Sequence, residues 1–202
     1  MKFLTDKNLA IRISSLWLTG LSLLFIAWTL SYVGLPEGSV RGGVVVAYIP
    51  LITEEVNSTF IRIFTYNLLL ATASILIANL ITIKSFPLGY LPLFYHWILY
   101  GVFLGTNSFM IPSATKLIPS LITLFRGSGI YEVTSYTLIA AATCNIGIPI
   151  EFVTKMESRK GVITVLKSRY SRLTRWERVT MLAAIVLLMV SNYLEAWQIF
   201  HG

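Results

Sequence analysis

Long apolar stretches alternate with short polar segments along the chain. A helix that crosses a membrane needs about 20 mainly apolar residues, because each residue adds about 1.5 Å against a hydrocarbon core about 30 Å thick. Five stretches meet or approach that requirement, at about 13–33, 63–83, 93–110, 133–150 and 179–200. The pattern therefore predicts an all-α fold, a polytopic membrane helix bundle with about five transmembrane helices in a single domain over residues 1–202.

Composition points to the same environment. Hydrophobic residues make up 55% of the chain and charged residues 12%, against roughly 25% charged residues in soluble domains. A water-soluble domain of 202 residues has too little interior for this much apolar surface. The first apolar stretch, from Ile13 to Pro36, holds 24 residues without a charge, which is too long for the apolar core of a signal peptide. We therefore expect it to be a retained span.

The basic residues predict an orientation. The segment 155–178 holds eight Lys/Arg and two Glu, and so carries most of the net charge of +7. With the N-terminus inside, twelve Lys/Arg lie on the inner side and four on the outer side. The positive-inside rule then predicts a cytoplasmic N-terminus and an external C-terminus. Basic residues grouped beside a span indicate contact with anionic lipid, so nucleic-acid binding is not expected.

Two connecting segments on the outer side carry further predictions. The segment 34–59 contains an apolar run at 44–52 that is typical of a short strand or an interfacial piece. It also contains an Asn-Ser-Thr triplet that makes Asn57 a candidate glycosylation site. The segment 111–130 contains Pro112, Pro119 and a Gly-Ser-Gly break, which predict a short interfacial or re-entrant helix before the fourth span.

The inner segment 155–178 predicts a cytoplasmic amphipathic helix that lies on the anionic membrane surface. The apolar residues at helical spacing are Val162, Ile163, Leu166, Tyr170 and Leu173. The basic residues expected to bind the membrane surface are Lys167, Arg169, Arg172 and Arg175. The alternative is that these charges only fix the topology, and the sequence leaves both interpretations open.

Polar residues within or beside the spans form a candidate site, because charge inside a membrane is costly. Glu195 lies near the outer edge of the last span, and Glu132 opens the fourth span at a similar depth. The predicted polar cluster consists of Glu132, Glu195, Arg126, Asn67 and Asn107. It is either an ion site, substrate site or proton relay, or an internal network that holds the bundle together. The second interpretation is favoured, since paired carboxylates alone do not make an enzyme.

Small residues predict close contacts between helices. They are Gly101, Gly105, Gly129, Ala140 and Ala141. Gly101 and Gly105 form a Gly-x-x-x-Gly motif in the third span, which favours packing inside the bundle and leaves homodimerisation open.

The single cysteine, Cys144, excludes an internal disulfide, and the sequence has no Cys/His cluster at metal-ligand spacing. No metal and no cofactor are therefore expected. Cys144 is followed by Asn145, which raises an intramembrane cysteine nucleophile of the sortase-like kind, with His96 as a conceivable partner. A buried structural cysteine is the favoured interpretation.

Short motifs from about residue 63 to the C-terminus resemble a known family. The motifs are Gly129-Ile130-Tyr131-Glu132, Tyr66-Asn67, Tyr100-Gly101 and Leu194-Glu195-Ala196. They are similar to the Gly-x-x-Glu signature, the Asn and Asn-Gly positions and the closing Glu-Ala of the stage II sporulation protein M family. The sequence departs from the family pattern at Ser128, where His is common, and at Tyr100, where Asn is common.

The resemblance implies a polytopic membrane protein without catalytic activity of its own. In sporulating bacteria, family members anchor a peptidoglycan-degrading machine, while the role of relatives elsewhere is largely undefined. We therefore expect a scaffold or accessory subunit of a larger complex in the plasma membrane of a prokaryote, bacterial or archaeal. Its partners would be the bilayer and other membrane subunits. Two alternatives remain: a small transporter or channel-like module that uses Glu132 and Glu195, and an intramembrane cysteine enzyme around Cys144, which is less favoured.

Overall fold

The computed structural model describes residues 3–41, 55–83, 86–109, 113, 115–153, 162–165 and 173–201, and most of them are helical. The helices are α1 (Leu9–Gly34), α2 (Val56–Tyr66), a π-helical turn (Asn67–Thr72), α3 (Ala73–Asn79), α4 (Tyr90–Thr106), α5 (Leu121–Arg126), α6 (Gly129–Thr143) and α7 (Arg175–His201). The strands are β1 (Ile81–Ile83), β2 (Phe86–Pro87), β3 (Ile148–Val153) and β4 (Val162–Val165). The α2–α3 helix is continuous through the π turn, from Val56 to Asn79.

Among the described residues, three helices are long and apolar enough to cross a membrane: α1, the α2–α3 helix and α7. Each leaves large apolar side chains on the outside of the bundle, such as Leu30 on α1, Ile77 on α3 and Leu182 on α7, which are 63–68% exposed. Such faces are unfavourable in water and are the ordinary surface of a protein whose solvent is lipid. The structure is therefore compatible with a membrane-embedded protein.

The prediction of about five spans is not confirmed, because the other two predicted spans correspond to shorter helices. α4 has 17 residues and α6 has 15, which makes them about 25 Å and about 22 Å long. α6 ends at Thr143 instead of continuing to Ile150. The segment after it enters β3 with Ile148-Pro149-Ile150, where proline opposes a helix and the β-branched residues favour a strand.

The five longer helices alternate in direction. α1 and α4 run side by side in the same direction, since Gly20 contacts Trp97 and, further along, Ser31 contacts Gly105. The α2–α3 helix runs the other way and ends at Asn79, which accepts a hydrogen bond from the Gly89 N–H just before α4. α6 also runs opposite to α1, and its end lies beside the beginning of α7.

Small residues lie where helices approach most closely. A Cβ at Gly101 would collide with the Leu24 carbonyl oxygen of α1, and a Cβ at Gly129 would lie 2.5 Å from the Tyr100 ring. Ala140 and Ala141 are fully buried in α6, which is enclosed by the other helices over most of its length. The short side chains therefore allow α6 to sit at the centre of the bundle.

A four-stranded sheet, with strand order β2-β1-β3-β4, connects the ends of α3 and α6. β1 pairs with β3 in parallel, while the β1–β2 and β3–β4 pairs are antiparallel. The predicted amphipathic helix is wrong at Val162–Val165, because these residues form β4. Three of the four residues in this run are β-branched valine or isoleucine and the fourth is threonine, a composition that favours a strand over a helix.

Several predicted features lie outside the described residues: the apolar run 44–52, most of the segment 154–172, and the predicted lipid-binding residues Lys167, Arg169 and Arg172. Arg175 is exposed at the first position of α7, and Asn57 is exposed in the first turn of α2. A short helix does occur within 111–130. It is α5, whose exposed apolar residues include Ile122 and Phe125.

Candidate functional site: two buried polar layers

The first polar layer joins the beginnings of α1 and α7. Arg12 Nη2 donates to Glu177 Oε1 at 2.8 Å, and the two side chains are 1% and 7% exposed. Arg12 Nη1 also donates to the Asp6 carbonyl oxygen at 3.0 Å. A buried charge requires a partner of this kind, because desolvation of an isolated ion is very costly. We call the group formed by Arg12, Glu177, Thr174 and Asn145 the Arg12 layer.

Glu177 has further partners in the Arg12 layer. Its Oε2 accepts from the Thr174 N–H at 2.9 Å, while its own N–H donates to Thr174 Oγ1 at 3.2 Å. This reciprocal pair is a capping box, which satisfies backbone donors at the beginning of α7. Asn145 Nδ2, just after α6, donates to Glu177 Oε1 at 3.2 Å. One carboxylate therefore ties α1, α6 and α7 together.

Sequence reasoning missed the Arg12 layer. In the sequence, Arg12 is a charged residue that flanks the first predicted span, and Glu177 is one of two acidic residues in a basic segment. Their contact joins residues 165 positions apart, which no local pattern shows. The Thr174-x-x-Glu177 spacing before an apolar run was the available signal, since it is the signature of a capping box.

The second polar layer lies at the opposite end of α6 from Asn145, in its first two turns, among α2–α3, α6 and α7. Tyr136 OH donates to Glu132 Oε1 at 2.5 Å, one turn along α6. The Asn67 side chain hydrogen-bonds the Glu132 carboxyl and also donates from Nδ2 to Asn192 Oδ1 at 2.8 Å. Asn192 is 0% exposed. We call the group formed by Glu132, Tyr136, Asn67, Asn192 and Glu195 the Glu132 layer.

Glu195 belongs to the Glu132 layer through its position on α7 and its electrostatic neighbours. It lies three residues after Asn192 and therefore on the same face of the helix. Its carboxyl lies within electrostatic range of the Glu132 carboxyl, and the Tyr100 and Tyr136 hydroxyl groups are close to both acids. The structure thus brings Glu132, Glu195 and Asn67 together.

Two residues of the predicted cluster lie elsewhere. Asn107 ends α4 in a left-handed conformation, with φ of 50°, and its Nδ2 donates to Glu37 Oε1 at 2.6 Å and to the Ser113 carbonyl oxygen at 2.7 Å. Arg126 is exposed at the end of α5. Neither contributes to the Glu132 layer, because α4 has already ended at Thr106 and the short α5 turns Arg126 outward.

The Glu132 layer contains two carboxyl groups and no basic side chain. The buried ion pair found among the described residues, Arg12–Glu177, lies outside this layer. The Asn192 Nδ2 atom is buried and has no hydrogen-bond partner among the described residues. The layer therefore holds two acidic groups and one unsatisfied donor.

The geometry around Cys144 places it apart from His96. Cys144 is buried next to Tyr90, whose hydroxyl donates to the Leu4 carbonyl oxygen at 2.8 Å. The His96 ring lies 5.2 Å from the Tyr136 ring, on the side of the Glu132 layer. The structure thus separates the cysteine from the histidine that a nucleophilic mechanism would need. No group of three or more His, Cys, Asp and Glu side chains suited to a metal occurs in the described part of the chain.

The fold and these two layers define the class of protein: a mostly helical chain with three helices able to span a membrane and with buried polar contacts between its helices. Comparison of the chain with protein-family models, with curated protein sequences and with solved structures finds no match.

Proposed function

We propose that this protein is a non-catalytic scaffold or accessory subunit of a larger membrane complex, with its N-terminus in the cytoplasm and its C-terminus outside. The observation that carries the proposal is the distribution of polar and apolar side chains in the bundle. Polar residues inside the bundle bond to one another, while the spanning helices present apolar faces. A protein built in this way acts through its surface, by contact with lipid and with other membrane subunits.

The polar contacts in the interior are hydrogen bonds that connect one helix to another. Asn79, which is fully buried, donates to Thr143 Oγ1 at 2.8 Å and accepts from the Gly89 N–H at 3.1 Å, so that one amide links α3, α4 and α6. Trp97 Nε1 donates to Thr137 Oγ1 at 3.1 Å in the same way. Each such bond in a membrane bundle contributes about 0.6 kcal/mol on average, and their sum supports a rigid platform.

The resemblance to the stage II sporulation protein M family adds independent support. Its motifs are widely separated in sequence, yet Asn67, Glu132 and Glu195 fall in one layer, and Gly129 packs on Tyr100 of the neighbouring motif. A fold shared with that family would bring these separate motifs together in this way. It favours the non-catalytic role that the resemblance implies.

Site-specific photo-crosslinking in native membranes tests the scaffold proposal. A photoreactive amino acid is placed singly at Leu30, Ile77 or Leu182, on three different exposed faces, and at the fully buried Leu188 as the matched control on α7. We expect at least one exposed position to crosslink to a defined membrane protein, in a pattern confined to one face, and Leu188 to give only internal crosslinks. Crosslinks to lipid alone at all three faces, at native abundance, would exclude a stable partner there.

A small transporter or channel-like module is the second candidate, favoured by the two carboxyl groups of the Glu132 layer. It requires that water reach this layer from the outer side. Tyr131→Cys, in a Cys144→Ala background, places a thiol next to Glu132 at a position that is 39% exposed. Rapid reaction with a membrane-impermeant maleimide added outside supports this function, and full protection counts against it.

A further inference from the structure

We propose that the α5 region binds a phospholipid in the membrane leaflet next to the C-terminal end of α1. Four apolar side chains contact the acyl chains, and the Arg126 guanidinium binds the headgroup phosphate. We call the group formed by Ile118, Leu121, Ile122, Phe125 and Arg126 the α5 site. The site requires a membrane-embedded bundle, which the three long apolar helices support, and it is independent of the scaffold role.

The apolar side chains of the α5 site are 48–78% exposed, while Leu124 of the same short helix is fully buried. Leu121, Ile122 and Phe125 lie within little more than one turn and share one side of α5. The sequence contains no charged residue from Ile118 to Phe125. An exposed apolar face of this kind is unfavourable in water and indicates an apolar partner.

The backbone before α5 lies well below the end of α1. Trp28 Nε1 donates to the Leu117 carbonyl oxygen at 2.8 Å, and Trp28 lies six residues before α1 ends at Gly34. Six residues correspond to about 9 Å along the helix. The neighbouring Lys116 extends back toward this end, where its Nζ donates to the Leu35 carbonyl oxygen.

The residues after α5 lie at a similar depth on α4. A Cβ at Gly129 would lie 2.5 Å from the Tyr100 ring, and one at Gly127 would lie 3.1 Å from the Tyr100 hydroxyl oxygen. Tyr100 lies six residues before α4 ends at Thr106, which is again about 9 Å. The two helices end side by side, since the Gly38 N–H, just after α1, donates to the Thr106 carbonyl oxygen at 2.7 Å. Both flanks of α5 therefore lie about 9 Å inside the helix ends.

This depth corresponds to the edge of the hydrocarbon region. α1 has 26 residues and is about 39 Å long, against a hydrocarbon core about 30 Å thick. When α1 is upright and centred, each end extends about 4–5 Å beyond the core, so α5 lies about 4–5 Å within it. Interfacial helices bury their apolar faces to about 5–10 Å at this boundary. Acyl chains are therefore the apolar partner available to α5.

Backbone groups around α5 have the partners that such a position demands, because a lipid-facing segment cannot leave them to water. The Leu117 carbonyl oxygen accepts from Trp28. At the beginning of α5, Ser120 Oγ accepts from the Thr123 N–H at 3.1 Å. These bonds suit the segment to contact with lipid.

Arg126 supplies the polar part of the α5 site. It is exposed and follows Ile122 by one helical turn, so it lies on the same side of α5 as the apolar residues. An arginine near the edge of the hydrocarbon keeps its stem in the apolar region and extends its charge toward the headgroups. Phosphate oxygens accept two hydrogen bonds from a guanidinium. The α5 site thus matches both the chains and the headgroup of a phospholipid.

Spin labelling of the full-length protein in phosphatidylglycerol nanodiscs tests the depth of the α5 site. Ile122→Cys in a Cys144→Ala background carries a nitroxide, and its collisions with oxygen and with a water-soluble nickel chelate are measured. We expect oxygen collisions to exceed nickel collisions, as for Leu30→Cys at an exposed apolar position of α1. Ser39→Cys, exposed in the loop after α1, is the aqueous control and should show the reverse.

Nickel access at Ile122 equal to that at Ser39 would overturn the site, because α5 would then lie in water. Protection of Ile122 from both probes would also overturn it, since protein and not lipid would cover α5. Either result, with Leu30 in contact with lipid, would leave the scaffold proposal standing. Nickel access at Leu30 as well would show that the bundle is not embedded, and would overturn both proposals.

Native mass spectrometry with added phosphatidylglycerol tests the headgroup contact. We expect Arg126→Gln to raise the dissociation constant of the first bound phosphatidylglycerol about fivefold, the typical contribution of one arginine near an anionic membrane surface. Arg126→Lys keeps the charge and is the matched control, with an increase of at most about twofold. Equal affinity of Arg126→Gln and the wild-type protein would overturn the headgroup contact. Displacement of the lipid by inorganic phosphate at equal concentration would overturn it too, in favour of a site for free phosphate.

Discussion

The Arg12 layer and the Glu132 layer are both polar, both contain buried side chains and both lie between α6 and α7, yet their charged groups have different partners. In the Arg12 layer a carboxylate faces a guanidinium at 2.8 Å. In the Glu132 layer a carboxyl faces a tyrosine hydroxyl, amides and a second carboxyl. The first layer contains a matched ion pair, and the second contains two carboxyl groups with no basic residue among its own members.

This difference predicts which layer mainly stabilises the fold and which layer can change its charge. A matched ion pair is hard to replace one partner at a time, because the remaining charge is stranded. A pair of acids changes its charge by gaining or losing a proton without any change in the fold's covalent parts. We therefore expect substitutions in the Arg12 layer to act on folding, and substitutions in the Glu132 layer to act on charge.

The largest effect is expected when one partner of the ion pair is removed. Arg12→Met leaves Glu177 buried and unpaired and should lower the free energy of unfolding by about 3–5 kcal/mol. In Arg12→Met/Glu177→Leu most of this loss is recovered, and about 1 kcal/mol remains because the capping box is gone. Reversible unfolding in mixed detergent micelles measures both values.

Arg175→Met is the matched control for the ion-pair experiment, because Arg175 is exposed at the beginning of the same helix that carries Glu177. Its effect should stay within about 0.5 kcal/mol. An Arg12→Met protein as stable as Arg175→Met would show that the two layers do not differ as described.

A smaller effect is expected when a cation is introduced into the Glu132 layer. Leu188→Lys and Asn192→Lys each place a lysine at a fully buried position, one turn apart on α7. Leu188→Lys should cost about 3 kcal/mol, the typical cost of lysine within a membrane span. Asn192→Lys should cost roughly 2 kcal/mol less, since its ammonium group can pair with Glu132 or Glu195.

The same unfolding measurement on both lysine variants decides this point. Equal costs at positions 188 and 192 would mean that the Glu132 layer offers no excess negative charge, and would remove the main difference between the layers.

The smallest effect is expected from a substitution in the N-terminal cap of α7. It removes a hydrogen bond and leaves the charges of the Arg12 layer unchanged. Thr174→Ala removes the side-chain acceptor for the Glu177 N–H and should cost about 1 kcal/mol. Thr174→Ser keeps the acceptor and should retain most of the stability. A serine variant as unstable as the alanine variant would mean that the threonine methyl group, and not the cap, stabilises this end of the helix.

The two terminal spans could be predicted closely from the sequence. α1 and α7 are long apolar runs whose ends are marked by polar residues, and α1 buries a regular stripe from Leu16 through Leu24 to Trp28. The central helices could not be delimited in the same way. Ile148-Pro149-Ile150 is as apolar as the end of a span, and only its pairing with β1 shows that it is a strand.

The polar site was also predictable only in part. Helix rise along the spans predicts that Glu132 and Glu195 lie at one level, and the structure places both residues in the Glu132 layer. It could not exclude Asn107, whose left-handed conformation ends α4 and turns its amide toward Glu37. Asn192 and Tyr136 were missed, since a buried amide or hydroxyl is recognised by its partner across the bundle and not by its neighbours in sequence.

The long separation of Arg12 from Glu177 has a consequence for biosynthesis. Arg12 leaves the ribosome before its partner Glu177, which follows 165 residues later. At about 5–20 residues per second, the guanidinium waits roughly 10–30 s for its carboxylate. During that interval the beginning of α1 carries an uncompensated positive charge, which favours the anionic headgroup region of a membrane until α7 emerges and allows it to be drawn into the bundle.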